Sequence, residues 1–236
     1  MLPAEMKVIL FGASGMVGRG VLRECLLDAD VEAVLSIARS PIGQSHPKLR
    51  EILHQDFTNF AAIERELAGW DACFFCLGVS SAGMKEADYA HVTYDFTLAA
   101  GAPLARLNPE MTFIYVSGEG TDSTAEGRSM WARVKGKTEN ALLALPFRAV
   151  MFRPGAIQAR HGIRSKTRVY RILYVLLGWI IPVVKLFAPN QVTATDTVGR
   201  AMLAVAKRGA PKRILRTVDI NAIGKGTGKA IEKPGA

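Results

Sequence analysis

Lys7-Val8-Ile9-Leu10-Phe11-Gly12-Ala13-Ser14-Gly15-Met16-Val17-Gly18-Arg19-Gly20-Val21-Leu22-Arg23-Glu24-Cys25 is the stretch that decides the fold. An apolar run rich in β-formers feeds a glycine-rich turn, and the turn opens onto a helical pattern. Val17, Val21, Leu22 and Cys25 recur at helical spacing on one face. The stretch therefore reads as strand, tight turn, helix. Gly12 lets the backbone reverse, Gly15 lets the main chain approach a pyrophosphate, and Gly18 lets helix and strand pack closely. The unpaired N–H groups and partial positive charge of the helix N-terminus favour an anion. The spacing is GxxGxxG rather than GxGxxG, so the flanking strand and helix carry the nucleotide reading more than the glycines do. A purely structural glycine turn is the alternative.

Further strands and helices alternate outward from this point. Val31 to Arg39 reads as a second strand and Glu51 to Phe57 as a third, ending near Asp56. Residues 58–68 read as a short helix, Asp71 to Gly78 as a fourth strand, and residues 86–100 as a helix with Tyr89, Val92, Phe96 and Ala99 or Ala100 at core spacing. Met111 to Ser117 is a fifth strand, Met130 to Leu145 a helix and Phe147 to Arg153 a sixth strand. Thr193 to Lys207 reads as a last helix capped by Thr195 or Asp196, and Arg213 to Val218 as an edge strand. This alternation predicts an α/β fold with a doubly wound parallel sheet. The division expected is a core at 6–153, a basic and apolar lobe at 154–192, a returning helix and edge strand at 193–220, and a tail at 224–236.

The 236-residue chain suits one domain with a small appended lobe. No signal peptide is expected. Cys25, Cys73 and Cys76 make no disulfide framework, which points to a reduced, cytoplasmic setting. Cys73 and Cys76 read as small buried residues of a core strand, and no His or Cys pair completes a metal site. The net charge of +9 is uneven: residues 1–139 carry 13 Lys/Arg and 18 Asp/Glu, whereas residues 140–236 carry 17 and 3. Such a block favours an anionic partner or forms a solvated basic face. Arg39, at the end of the second strand, stands where an acidic residue would select NAD, and so favours NADP(H) over NAD(H). Arg19 is a second candidate phosphate contact.

Taken together, Gly12–Gly18, Asp56, Cys76-Leu77-Gly78, Tyr115-Val116-Ser117, Val134-Lys135-Gly136 with Glu139, and Arg153-Pro154-Gly155 resemble the short-chain dehydrogenase/reductase superfamily. Within it, they look most like the atypical, NAD(P)H-binding epimerase/dehydratase-like members. The resemblance implies a Rossmann-type core. It implies cofactor contacts at Gly12, Ser14, Gly15, Met16, Val17, Gly18, Arg39, Asp56, Phe57, Leu77, Gly78, Lys135, Arg153, Pro154 and Gly155. Asp56 either reaches the adenine amino group or caps the following turn. Gly78 and Val79 would lie under the ribose and nicotinamide.

The same resemblance implies catalytic positions at Ser117, Trp131 and Lys135. The superfamily has a tyrosine four residues before the lysine, and this chain has Trp131. An indole N–H donates a hydrogen bond but does not titrate in the useful range. Tyr94, Thr121 and Ser123 are the other candidate proton donors. The expected function is an NADP(H)-dependent oxidoreductase or epimerase-like protein acting on a small or apolar carbonyl or alcohol. The alternative is a non-catalytic NADP(H)-binding regulator or a protein at a membrane surface.

Ile172 to Val184 carries no charge but is too short to span a bilayer. It reads as a substrate lid, or as an interfacial contact with Arg164, Lys166, Arg168 and Arg171 at anionic headgroups. The expected partners are a dinucleotide and a small-molecule substrate, with an anionic membrane surface as a further option. No specific nucleic-acid motif is present, and the chain reads as a monomer or homodimer.

Overall fold

The computed structural model describes residues 5–163 and 191–226. Seven parallel strands form the main sheet: β1 (Met6–Phe11), β2 (Val31–Ala38), β3 (Leu49–Leu53), β4 (Ala72–Phe75), β5 (Thr112–Val116), β6 (Arg148–Arg153) and β9 (Ile214–Arg216). Their order is β3-β2-β1-β4-β5-β6-β9. The sheet winds one way from β1 through β2 to β3 and the other way from β4 outward. Val8 to Phe11 pair with Ala72 to Phe75 across the point of reversal. A short parallel pair, β7 (Ala156–Gln158) with β8 (Val192–Ala194), joins the two ends of the chain around residues 164–190.

Strand alternation builds two cores. On β1, Val8 and Leu10 face the layer formed by α1 (Met16–Leu27), α5 (Thr195–Arg208) and α6 (Thr217–Gly224), with Val21, Leu22, Cys25, Val198 and Met202 buried there. Ile9 and Phe11 face the opposite layer, which contains α3 (Phe96–Leu107) and α4 (Met130–Leu143). Every residue of β4 is buried, as expected of a central parallel strand covered by helices on both faces. Cys73 lies in that strand with a free thiol.

The structure corrects several element expectations. The third strand ends at Leu53, before Asp56. The segment after it is a 3₁₀ turn (Ala61–Leu67) rather than an α-helix. The helix over 86–100 is longer: α2 (Glu86–Ala90) passes through a π turn (His91–Asp95) into α3. The wider turn shifts the helix phase. The buried positions become Tyr89, Thr93, Thr97, Ala100 and Leu104, while Val92 and Phe96 are only half-buried. Ala194, not Thr195 or Asp196, caps α5. The edge strand ends at Arg216, and α6 follows it before the tail.

One buried ion pair joins α4 to the sheet. Glu139 on α4 and Arg153 at the end of β6 are almost fully enclosed, with side chains 1% and 8% exposed. The Arg153 guanidinium donates to both Glu139 carboxylate oxygens, at 2.5–3.2 Å, and also to Ser123 Oγ at 2.6 Å. The pair thus also pins the loop between β5 and α4. Removing one partner leaves a buried charge uncompensated, which costs about 3–5 kcal/mol. Glu139→Gln is therefore expected to lower unfolding free energy by about that amount, read by urea denaturation. A loss below about 1 kcal/mol would show that the pair does not hold α4.

Candidate functional site

The C-terminal strand ends at the reversal between β1 and β4 form the crevice where open α/β sheets hold their ligands. Gly12 lies there with φ +79°. A Cβ at Gly12 would sit 2.7 Å from the Cys76 carbonyl and from the Leu77 nitrogen. Only glycine lets the two strand ends approach so closely. A Cβ at Gly18 would sit 2.1 Å from the Gly12 oxygen, so the first turn of α1 packs directly on the glycine turn.

Gly15 caps α1 in an extended conformation with no side-chain cap, and its N–H donates to the Gly12 carbonyl at 2.9 Å. Helix geometry leaves the amides of Met16, Val17 and Gly18 without intrahelical acceptors. No acidic side chain occupies that turn. Gly78, past β4, is exposed, and a Cβ there would meet nothing within 4 Å. A glycine-lined turn, an uncapped helix N-terminus and an open strand end fit a dinucleotide pyrophosphate. Ser14 is half-buried inside this turn.

Arg39 follows β2 directly and is exposed. Its carbonyl accepts Gln55 Nε2 at 2.7 Å, and its guanidinium has no partner among the described residues. Asp56 takes the capping role: its carboxylate accepts the Thr58 amide at 2.9 Å and the Thr58 hydroxyl. Those bonds hold its pKa below the usual aspartate value. Phe57 is buried, with its ring against Phe11, Phe60 and Phe96, so its side chain belongs to the core. Arg153 is committed to Glu139 and Ser123. The Pro154 carbonyl accepts Glu119 N–H, and Gly155 N–H donates to Thr217 Oγ1, both at 2.8 Å. Arg153-Pro154-Gly155 is thus a structural joint within the protein. Leu77 is partly buried against the α3/α4-side core.

Ser117 and Lys135 come together. Lys135 Nζ donates to the Ser117 carbonyl at 2.7 Å and approaches the Val116 carbonyl at 3.4 Å. It lies 5.6 Å from the Tyr115 ring centroid. Burial lowers its pKa from the ordinary 10.5 to about 8, although the Glu139 carboxylate opposes the shift. The Ser117 hydroxyl donates across to the Phe152 carbonyl at 3.1 Å, so its proton points at β6. Trp131 lies one helical turn before Lys135 on α4, and its indole covers Gly120, where a Cβ would be 3.3 Å from the ring.

The other proton-donor candidates have different contacts. Thr121 Oγ1 donates to the Gly118 carbonyl, Ser123 Oγ accepts from Arg153, and the Tyr94 ring lies 4.7 Å from Lys137 Nζ.

Asp122 of this site was not singled out from sequence. The Asp122 carboxylate accepts the amides of Thr124, Glu126 and Gly127, which ties off the β5–α4 loop. The Asp122 carbonyl also presses on α4 at Gly136, where any Cβ would lie 1.6 Å from it. The glycine beside Lys135 is therefore the signal that the loop lies on the helix.

The charge imbalance along the chain is reduced in space. Arg148 pairs with Glu110, Arg200 with Glu24, Lys207 with Asp28 and Asp30, and Arg216 with Glu119. The basic and apolar run from Arg164 through Val184, with its lid and membrane readings, lies outside the described residues. Among the described residues, no helix is long and apolar enough to cross a membrane, and no group of His, Cys, Asp or Glu could hold a metal ion. Burial raises the pKa of all three cysteine thiols.

No family model matches the chain. It is 28% identical over 163 residues to protein FMP52-2, mitochondrial, of Scheffersomyces stipitis, covering 67% of this chain and 68% of that one. It is 26% identical over 144 residues to leucinostatins biosynthesis cluster protein T of Purpureocillium lilacinum, covering 59% of this chain and about half, 52%, of that protein. The FMP52 relatives of Debaryomyces hansenii and Eremothecium gossypii are also named as mitochondrial. These names overturn the cytoplasmic expectation, which rested on cysteine usage. Cys25 and Cys73 are buried free thiols and Cys76 a half-buried one, and thiols placed by the fold in this way identify no compartment.

Among solved structures, Bordetella bronchiseptica WbmF in complex with NAD+ matches with a TM-score of 0.68 at 15% identity, covering 98% of this chain and 82% of that one. UDP-glucuronic acid 4-epimerase from Bacillus cereus in complex with NAD matches at 0.64 and 13%, covering 89% and 76%. Aldohexose dehydrogenase from Thermoplasma acidophilum matches at 0.63 and 15%, covering the whole of both chains. With its parallel seven-stranded sheet and glycine turn at the reversal point, the chain has the Rossmann-like α/β fold of these solved structures.

Proposed function

We propose that this chain binds NADP(H) at the β1–α1 turn and acts as an oxidoreductase or epimerase-like protein on a small or apolar carbonyl or alcohol. The uncapped α1 N-terminus behind Gly12, facing the open end of β4, carries this reading. A bound nicotinamide would supply or accept the hydride. The amides of Met16, Val17 and Gly18 would hold the pyrophosphate, Gly78 would leave room for the ribose, and Lys135 would turn from the Ser117 carbonyl to hold the nicotinamide ribose. The Arg39 guanidinium, without a partner among the described residues, would meet a 2′-phosphate.

Trp131 supports a second reading, in which the protein holds the dinucleotide without ordinary chemistry. Its N–H can orient a carbonyl oxygen but cannot deliver a proton as a general acid. Ser117, with its proton on Phe152, does not replace it. A proton from another source would leave the reaction slower by about 10²–10⁴-fold than with a positioned acid.

Three measurements follow. Wild-type protein is expected to bind NADPH about 10- to 150-fold more tightly than NADH, and Arg39→Gln to remove most of that difference, as expected from one charged hydrogen bond of about 1.5–3 kcal/mol. Failure to bind either dinucleotide, read by fluorescence titration, would refute the proposal. Trp131→Tyr should raise NADPH consumption with apolar aldehydes or ketones by about 10²-fold or more. A wild type already as fast as that variant would show that the indole does not limit the chemistry.

Lys135 titrates near pH 8 in the folded protein and at its ordinary 10.5 when unfolded. Between these values the unfolded chain binds the extra proton, so stability rises with pH. Below pH 8 both states are charged and the burial cost is fully present. Against Lys135→Met, wild type should therefore gain up to about 1.4 kcal/mol per pH unit from pH 8 towards 10, less where solvent reaches the amine. A pH-independent difference between the two proteins would contradict the buried, perturbed amine.

A further inference from the structure

Arg216 closes β9 and pairs in register with Arg153 at the end of β6. On the next strand end, the Ser117 N–H donates to the Phe152 carbonyl at 2.9 Å. Ser117, Arg153 and Arg216 therefore stand level across three adjacent strands, two spacings of about 4.8 Å from first to last. Ile214 packs against the core on the α3/α4 side and Leu215 lies in the other core. Alternation sends Arg216 to the α3/α4 side, where α4 carries Trp131 and Lys135.

The two arginines differ in what holds them. The Arg153 side chain is 8% exposed and bound to Glu139. The Arg216 side chain is 64% exposed, and its one ion-pair partner among the described residues is Glu119 at 3.7 Å, beyond hydrogen-bond reach. Glu119 comes from the turn that follows Ser117. Gly118 at φ +154° and Gly120 at φ +85° flank it, and its N–H donates to the Pro154 carbonyl at 2.8 Å. The same turn carries the Trp131 indole over Gly120. Glu119 thus reaches from the Ser117 turn towards Arg216 without closing on it.

A loosely paired, solvent-reached guanidinium in line with Ser117 offers a fork of N–H donors to a planar anion. Glu119 decides which anion. A carboxylate replaces Glu119 at Arg216 one for one, and the local charge is unchanged. A phosphate monoester, carrying about −1.5 to −2 at pH 7, brings surplus negative charge against the Glu119 carboxylate.

We propose that Arg216 is a specificity-determining residue that binds the carboxylate of a keto or hydroxy acid, with Glu119 as the partner that this carboxylate displaces. The proposal names a substrate class among the small carbonyl and alcohol compounds of the proposed function, and it rests on that reading. The reacting carbon lies towards Ser117 and Trp131. The two strand spacings between Ser117 and Arg216 suit a carboxylate several bonds away from it.

The test is calorimetric titration of the full chain, saturated with the oxidised dinucleotide so that no hydride is available, with 4-oxopentanoate and with its methyl ester. Wild type is expected to bind the acid more tightly than the ester by about tenfold or more, the effect of one charged hydrogen-bonded pair. Arg216→Gln removes that preference, and Arg216→Lys, with the charge but not the fork, falls between. Glu119→Gln, which removes the competing carboxylate, raises the acid-to-ester ratio above that of wild type. Loss of a merely structural contact would weaken acid and ester together.

Wild type that binds the acid no better than the ester overturns the proposal. So does an acid preference that survives Arg216→Gln, or a Glu119→Gln ratio no higher than that of wild type. Dinucleotide titration comes first. Wild type that binds neither NADP+ nor NAD+ refutes the proposed function, and the acid-to-ester ratio of the protein without dinucleotide then decides Arg216.

Discussion

The close approach of two backbone turns at the centre of the sheet is the constraint on which the rest of the structure depends. Gly12, leaving β1, lies against the Cys76–Leu77 peptide, leaving β4, with no room for a single carbon between them. The strands part at this point because the sheet order reverses across it. The contact keeps the crevice narrow at its base and aims the start of α1 into it. Gly18 extends the constraint by seating α1 on the same turn. Loss of either glycine would move the helix amides on which the proposed dinucleotide site depends.

A second assembly controls the other side of the crevice. Glu139, Arg153 and Ser123 bind α4, β6 and the β5–α4 loop to one another, while Asp122 closes that loop onto α4 at Gly136. Lys135 is carried by this assembly to the end of β5 and shares a helical turn with Glu139. The electrostatic consequence is a partly neutralised, desolvated amine beside Ser117. What would be a lysine–tyrosine pair becomes a lysine one turn from an indole. The indole orients without titrating, and the one group at this site with a depressed pKa is the Lys135 amine.

Much of this was legible in the residues. The strand–turn–helix at Lys7–Cys25 specified the sheet because glycine spacing and apolar periodicity are local signals. Ser117 and Lys135, taken together from the family resemblance, are in contact through the Ser117 carbonyl. Other features depended on tertiary context. The π turn at His91–Asp95 adds phase to a helix with no sequence mark of its own, which moved the buried face from Val92 and Phe96 to Thr93 and Thr97. Arg153 entered as a cofactor contact through the family resemblance alone, and its buried ion pair with Glu139 joins positions fourteen apart that no local pattern links. The basic second half read as one positive surface, yet cations such as Arg200 and Lys207 find acids on α1 and its following turn that are far away in sequence.

Amide chemical shifts during titration of ¹⁵N-labelled protein with NADPH test the central claim most directly. The account predicts that the largest shifts fall on Gly15, Met16, Val17 and Gly18, with Gly78 on the opposite strand end, and that the Ser117 region follows as Lys135 releases its carbonyl. Binding that leaves the Gly12–Gly18 amides unmoved while shifting residues elsewhere would contradict it.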